Sequence, residues 1–424
     1  MDMEKNGLVR LITAGNVDDG KSTLIGRLLL DSKLILSDQL TNLKKAKNNR
    51  GSVEKIDLSF LTDGLESERE QGITIDVAYR YFSTKNKKYI IADCPGHEQY
   101  TRNMVTGASN ADTVILLVDV TKIKNGVLLE QTLRHTLIIS LLKIKKIILA
   151  VNKMDLVDYD QDIFNSISLS FKKLLKKLNW SVSFNAIPIS ALNGDNIIYK
   201  SKKTNWYHGE SLIESLEKNY PIKKQKNSLR IPIQYVMRWD GDKSNPQRAY
   251  AGRVDSGILN INDTVSIWPS MKKARIKRIV YRSKNVKQAL SNQSVLIWLD
   301  KDFDISRGNF FIEKDKNENS SNEVDVNIAW LDSNNLNTTR NYILKQATNE
   351  TKVKVKLKSK INLSNLKLEN ANTLEMNEIG KALIKTSSPI LNDSFESYPK
   401  SGSLILIDET TNQTAAALMI NNKS

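Results

Sequence analysis

Along the first half of the chain, short apolar runs alternate with longer stretches whose hydrophobic residues recur at helical spacing. Val9 to Ala14 is an apolar-rich run that ends in a glycine loop. Thr23 to Leu30 follows, with Leu24, Ile25, Leu28 and Leu29 spaced for one helix face. Tyr89 to Ala92, Thr113 to Val118 and Ile147 to Val151 are rich in Ile, Leu and Val, and each leads through a polar loop into a longer periodic stretch. Strands that alternate with helices predict a mostly parallel sheet covered on both faces. Its last strand is expected at Ala186 to Ser190, and a final helix at Ser211 to Lys218. Asn219 to Asn227, with one proline and several lysines, reads as a linker. Beyond it the period changes to two: Ile231, Ile233 and Tyr235 alternate with other residues, as do Val353, Val355 and Leu357. Glycine and Asn-Asp turn signals recur, helical periodicity is scarce, and two small β-barrels are predicted, divided at the polar stretch Lys314 to Glu323. The expected domains are 1–220, 228–313 and 323–424.

Composition narrows this picture only a little. No apolar run approaches the roughly 18 residues that span a bilayer, and Met1 to Gly7 lacks the apolar core of a signal peptide. A cytoplasmic protein with no membrane partner is expected. The single cysteine, Cys94, excludes an internal disulfide framework and a cysteine metal cluster. The formal net charge of +16 admits a polyanionic partner held through phosphate neutralisation. Lysine and asparagine are abundant, however, and arginine, the better phosphate reader, is sparse. That balance favours compositional drift, and no nucleic-acid partner is expected. The alternating Lys352, Lys354, Lys356 and Lys358 form either a basic stripe or, more ordinarily, the solvated face of a strand.

The chemistry lies in the loops after the predicted strands. Gly15-Asn16-Val17-Asp18-Asp19-Gly20-Lys21-Ser22 fits the phosphate-loop pattern and sits between a strand and a helix, the context that pattern requires. The glycines let the backbone aim N–H groups at phosphate oxygens. Lys21 supplies a point charge, the Ser22 hydroxyl is a ligand for Mg2+, and the helix that opens at Lys21, Ser22 and Thr23 adds its positive end.

Asp93-Cys94-Pro95-Gly96-His97 follows the apolar run Tyr89 to Ala92. Asp93 can hold the magnesium through water, and Gly96 can reach a terminal phosphate by its N–H, which makes this loop sensitive to phosphate loss. His97 is a candidate for orienting an attacking water by a ring nitrogen. The plain alternative is a packing or surface histidine; His135 and His208 are read that way. Thr74, inside Glu68 to Asp76, is a candidate second hydroxyl ligand of magnesium, or else a β-branched loop residue. Lys21, Thr74 and His97 together form the expected catalytic set.

Asn152-Lys153-Met154-Asp155 follows the strand Ile147 to Val151. The Asp155 carboxylate can accept two hydrogen bonds from guanine that adenine does not offer. A site built around such bonds discriminates on the order of 10⁴-fold or more. Asn152 and Lys153 brace that loop, and Ser190-Ala191-Leu192 is expected to offer backbone N–H to the guanine oxygen. The order and spacing of these elements predict a GTP site with Mg2+.

Taken together, these stretches resemble the translation elongation factor family of GTPases. The closest likeness within it is to the large, GTPase subunit family of bacterial ATP sulfurylase (sulfate adenylyltransferase). Gly15 through Leu29, Glu68 through Phe82, Tyr250-Ala-Gly252 and Asp304 through Gly308 carry that likeness, and Tyr100 through Ser109 is shared more broadly with elongation factors. Asp19 stands where elongation factors usually have His, and Gln71 where they usually have Arg. The resemblance implies an α/β phosphate-loop GTPase domain followed by two all-β barrels. It implies a GTPase subunit that works with a small, ATP-pyrophosphatase-like sulfate adenylyltransferase subunit. That partner forms adenylylsulfate and pyrophosphate from ATP and sulfate, and GTP hydrolysis drives the reaction. Some family members carry a fused adenylylsulfate kinase; with no second phosphate loop here, kinase activity is not expected. The rival readings are an aminoacyl-tRNA carrier and a scaffold with a vestigial site.

Overall fold

A computed structural model of the chain describes residues 7–31, 74, 76–124, 126–218, 227–239, 247–314 and 320–422. These fall into two compact units, one of the described residues up to 218 together with 363–366, the other of the remaining described residues from 227 onward.

In the first unit the chain runs β1 (Leu8–Ala14), α1 (Lys21–Asp31), β2 (Ala78–Ser83), β3 (Lys88–Asp93), α2 (Thr101–Ala108), β4 (Thr113–Asp119), α3 (Glu130–Leu141), β5 (Lys146–Asn152), α4 (Gln161–Lys177), β6 (Ser183–Pro188) and α5 (Leu212–Glu217). The strands form one six-stranded sheet in the order β2-β3-β1-β4-β5-β6. β1, β3, β4, β5 and β6 are parallel, as expected. Every residue of β4 and β5 is buried, which suits a central strand covered on both faces. β2 runs antiparallel to β3 at the sheet edge. Its sequence, AYRYFS, mixes polar and aromatic residues and gave no strand expectation. Because β1 pairs with β3 on one side and β4 on the other, the strand order reverses there. The loops after the carboxyl ends of β1, β3, β5 and β6 gather at that edge, where open α/β sheets bind ligands.

Helix ends follow their local chemistry. Asp160 accepts from the N–H groups of Asp162 and Ile163, and Lys176 and Lys177 occupy the last turn of α4. Phe164, Ile167, Phe171, Leu174 and Leu175 give that helix its buried face. Ser211 and Glu214 form a capping box on α5. The expected helix from Ser211 to Lys218 therefore lies between its own two caps. β6 stops at Pro188, short of the expected Ser190. Ser190 leaves the ladder to make an isolated bridge with Asp195, and its hydroxyl accepts from the Asn193 N–H.

The second unit holds two antiparallel barrels. In the first, six strands close where Lys272–Tyr281 pairs with Thr264–Trp268. In the second, closure is made by Tyr342–Gln346 pairing with Asn349–Ile361. Closure removes the exposed edges of an open sheet. Ile231 and Ile233 point into the first barrel as expected, but Tyr235 is exposed. The register against the next strand shifts between Ile233 and Tyr235, and this bulge turns the side chain outward. Val353 and Val355 are buried while the alternating lysines are exposed, so the lysine pattern is the solvated face of a strand. Lys352 pairs with Glu409 at 2.7 Å, and Lys358 pairs with Asp325. The barrels share a buried ion pair in which Arg230 Nε lies 2.9 Å from Asp393 Oδ2. Most of the expected linker, 219–226, and the centre of the polar boundary, 315–319, lie outside the described residues. Among the described residues no helix is long and apolar enough to cross a membrane.

Candidate nucleotide-binding site

The loop from Gly15 to Gly20 carries the chain from β1 into α1. Gly20 adopts φ +91°, a region L side chains rarely occupy, and a Cβ there would collide with the Asn152 amide. The Asn16 N–H donates to Asp19 Oδ2 at 2.7 Å and the Val17 N–H to Asn16 Oδ1 at 2.8 Å. The Asp19 N–H bonds to the Asn16 carbonyl at 3.3 Å. Three of the loop N–H groups expected to face phosphate are thus satisfied within the loop. Gly20, Lys21, Ser22 and Thr23 open α1, where the first N–H groups have no partner inside the helix itself. Asp18 holds φ +63° and is exposed at the loop's tip.

Lys21 is buried, and its ammonium donates to the carbonyls of Asn16 (2.8 Å) and Gly15 (3.2 Å). Burial pulls its pKa below the usual lysine range, opposed by the carboxylates of Asp93 and Asp19. Asp93, at the end of β3, is 2% exposed and accepts from the Thr13 hydroxyl at 3.1 Å. A Cβ on Gly96 would come within 2.5 Å of Lys21 Nζ and 2.8 Å of the Asn16 backbone. Only glycine lets the Asp93–His97 loop lie this close to the phosphate loop. His97 follows; its Nδ1 is buried without a hydrogen-bond partner among the described residues. Cys94 is buried, and burial pushes its thiol pKa up, so it packs rather than reacts.

Asn152 is the knot of the site. Its Nδ2 donates to the Asp19 carbonyl at 2.8 Å, and its Oδ1 accepts the Ala191 N–H at 2.9 Å. Asn152 thus bridges the phosphate loop and the loop after β6. Ala191 spends its N–H on this bridge, and Ser190 spends its own on the Asp195 carbonyl at 3.3 Å. Leu192 is left with the open N–H of that triplet among the described residues. Lys153, in a left-handed conformation, pairs with Asp119 at 2.7 Å. Burial opposes the Asp119 charge, but bonds from Lys153 and Thr121 outweigh it and hold its pKa below the usual carboxylate range. Asp155 is half-buried in the turn Met154–Val157.

Several residues that serve this site escaped the sequence reading. Asp119 ends an apolar run just as Asp93 does, and that signal was available. Arg27 of α1 donates to the carbonyls of Ala191 (3.3 Å) and Leu192, and Lys122 donates to the Val17 carbonyl at 2.7 Å. Neither lies in a local motif. Lys122 also stands 3.7 Å from Asp19, whose burial raises its carboxyl pKa. Thr74 is half-buried and shares no hydrogen bond with the phosphate loop among the described residues; residues 68–73 and 75 lie outside them.

The Ser22 hydroxyl, the Thr74 hydroxyl and the Asp93 carboxylate are hard oxygen donors of the kind Mg2+ takes. This hard, sparse donor set fits an ion that completes its shell with water and phosphate. Among the described residues no cluster of three or more His, Cys, Asp or Glu competes with it.

Residues 6–222 match the family model of the elongation factor Tu GTP binding domain, and residues 323–421 match that of the GTP-eEF1A C-terminal domain-like family. The chain is 45% identical to sulfate adenylyltransferase subunit 1 of Aliarcobacter butzleri, over 99% of this chain and 89% of that protein. It is 43% identical to sulfate adenylyltransferase subunit 1 of Aeromonas salmonicida, over 98% of this chain and 87% of that protein. The subunit 1 of Bacteroides fragilis is likewise 43% identical, over 98% of this chain and 86% of its own length. The chain belongs to the sulfate adenylyltransferase subunit 1 family, a branch of the GTP-binding proteins built on the elongation factor Tu GTP binding domain.

Proposed function

We propose that this chain is the GTP-hydrolysing subunit of a cytoplasmic sulfate adenylyltransferase. It couples GTP hydrolysis to the formation of adenylylsulfate and pyrophosphate from ATP and sulfate. The chemistry on ATP takes place in a small, ATP-pyrophosphatase-like partner subunit. The observation that carries this reading is likeness to subunit 1 proteins along nearly the whole chain. The nucleotide loops in this chain are mutually braced, as a working site requires.

In this reading Gly20 to Thr23 cradle the phosphates through the open N–H groups at the start of α1. Gly15 to Asp19 form the rim of that cradle. Lys21 exchanges its loop carbonyls for phosphate oxygens. Asp155 reads the guanine edge, Asn152 and Lys153 fix its loop, and Leu192 offers the backbone donor beside Ser190 and Ala191. His97 orients the attacking water. Ser22, Asp93 and Thr74 would hold Mg2+, which neutralises charge on the phosphates. Coupling requires that the GTP and GDP states differ in their contacts with the partner. The segment from Asp93 to Gly107 and the Thr74 loop report loss of the terminal phosphate in this reading.

Thr74→Ala tests the coupling. GTP binding should remain measurable, while pyrophosphate formation by the assembled enzyme loses its dependence on GTP. Full coupling in that variant would contradict the role given to Thr74.

A further inference from the structure

Helix α3 carries a buried polar cluster that the roles above leave unused. Gln131 Nε2 donates to the Gly96 carbonyl at 3.2 Å and lies 3.0 Å from His135 Nε2. Gln131 Oε1 accepts from Arg134 at 2.8 Å. Arg134 also reaches Glu98 at 2.8 Å and Glu130 at 3.1 Å. His135 is fully buried; burial, with the charges of Lys21 and Arg134, lowers its pKa to about 3. It is neutral at physiological pH, so its Nε2 can accept the second N–H of the Gln131 amide. The amide has one consistent orientation: oxygen toward the Arg134 cation, nitrogen toward two acceptors.

The carbonyl of Gly96 and the N–H of His97 belong to one planar peptide. Holding that carbonyl therefore fixes the plane from which the His97 side chain departs. Gly96 lacks the Cβ that would otherwise restrict this peptide's rotation. We infer that Gln131 is a positioning residue for GTP hydrolysis: it holds the Gly96–His97 peptide in the orientation that presents His97 to the attacking water, and Arg134 locks the Gln131 amide in place. This rests on the proposed role of His97. A purely structural role for Gln131 would lower stability without separating hydrolysis from binding.

The test uses the full chain with Gln131→Glu and Gln131→Met. The glutamate variant keeps the acceptor for Arg134 but has no N–H for Gly96 or His135. The methionine variant fills a similar volume and makes none of the three bonds. Three quantities are read in each: single-turnover GTP hydrolysis, affinity for fluorescent GTP and GDP analogues, and amide hydrogen exchange across residues 95–100. The expected result is hydrolysis slowed about 10- to 100-fold, the size of effect that a misplaced catalytic group produces. Analogue affinities should stay within about threefold of the parent, and exchange at residues 95–100 should accelerate. Parental hydrolysis rates in folded Gln131→Glu and Gln131→Met would overturn the proposal, as would a loss of affinity equal to the loss of rate. A parallel His97→Ala variant separates the two ideas. Unchanged hydrolysis there would remove the role of His97, and with it the purpose of the positioning. A His97 effect without a Gln131 effect would overturn the positioning alone.

Discussion

Asn152 divides a single amide between two loops. Asn152→Ala would leave the Asp19 carbonyl and the Ala191 N–H without these bonds. Each buried group left unpaired costs about 1–3 kcal/mol. The expected outcome is a lower melting temperature together with faster nucleotide release, read by stopped-flow with a fluorescent GDP analogue. Parental release rates in a folded variant would show that the bridge does not order the site. Asp155→Asn should lower GTP affinity and favour xanthine nucleotides, because the amide donates where the carboxylate accepted. An unchanged preference for GTP in competition binding would remove Asp155 from base recognition. His135 makes a prediction about pH. Its folded-state pKa, about 3, lies below the usual 6.5, so the fold favours the neutral ring. This contribution to stability is complete above pH 6.5 and is lost as pH falls toward 3, at up to about 1.4 kcal/mol per pH unit for one proton. His135→Gln takes up no proton in that window. The difference in stability between parent and variant, measured by urea unfolding, should therefore change with pH below 6.5 and be flat above it.

At the scale of elements, the parallel strands and their loops were legible because each signal was local. A buried parallel strand is a continuous apolar run, and β1, β3, β4 and β5 begin and end within a residue or so of where their runs do. Three features were not local. β2 is an edge strand with Tyr79 and Tyr81 exposed, so it lacks the apolar pattern of its neighbours. Tyr235 falls on the wrong face because a bulge, invisible in the alternation, inserts a residue. The bridges made by Arg27, Lys122 and Gln131 span 35 to 165 residues of sequence and depend on the loops meeting in space. The candidate site was thus readable as an inventory of loops, whereas its internal wiring was not. The phosphate loop illustrates this: the pattern identified Gly15 to Ser22, but the Asn16 and Asp19 side chains decide which N–H groups remain open.

At the scale of the molecule, the two barrels of the second unit share a buried ion pair. Arg230 meets both carboxylate oxygens of Asp393 at 2.9 Å, stacks on the Tyr398 ring, and both charges are almost wholly buried. Removing one member strands the other. Arg230→Met should destabilise this unit by about 3–5 kcal/mol, seen as a shifted urea midpoint in barrel tryptophan fluorescence, and an unshifted midpoint would contradict that estimate. The relatives named subunit 1 imply a second subunit, and the proposed coupling requires the GTP site and that subunit's chemistry to depend on each other. The most direct measurement mixes the purified chain with a sulfate adenylyltransferase small subunit, ATP and sulfate, and follows pyrophosphate release with and without GTP. Strong dependence on GTP is expected, with GDP formed in step with pyrophosphate. GTP hydrolysis that leaves pyrophosphate release unchanged would contradict it.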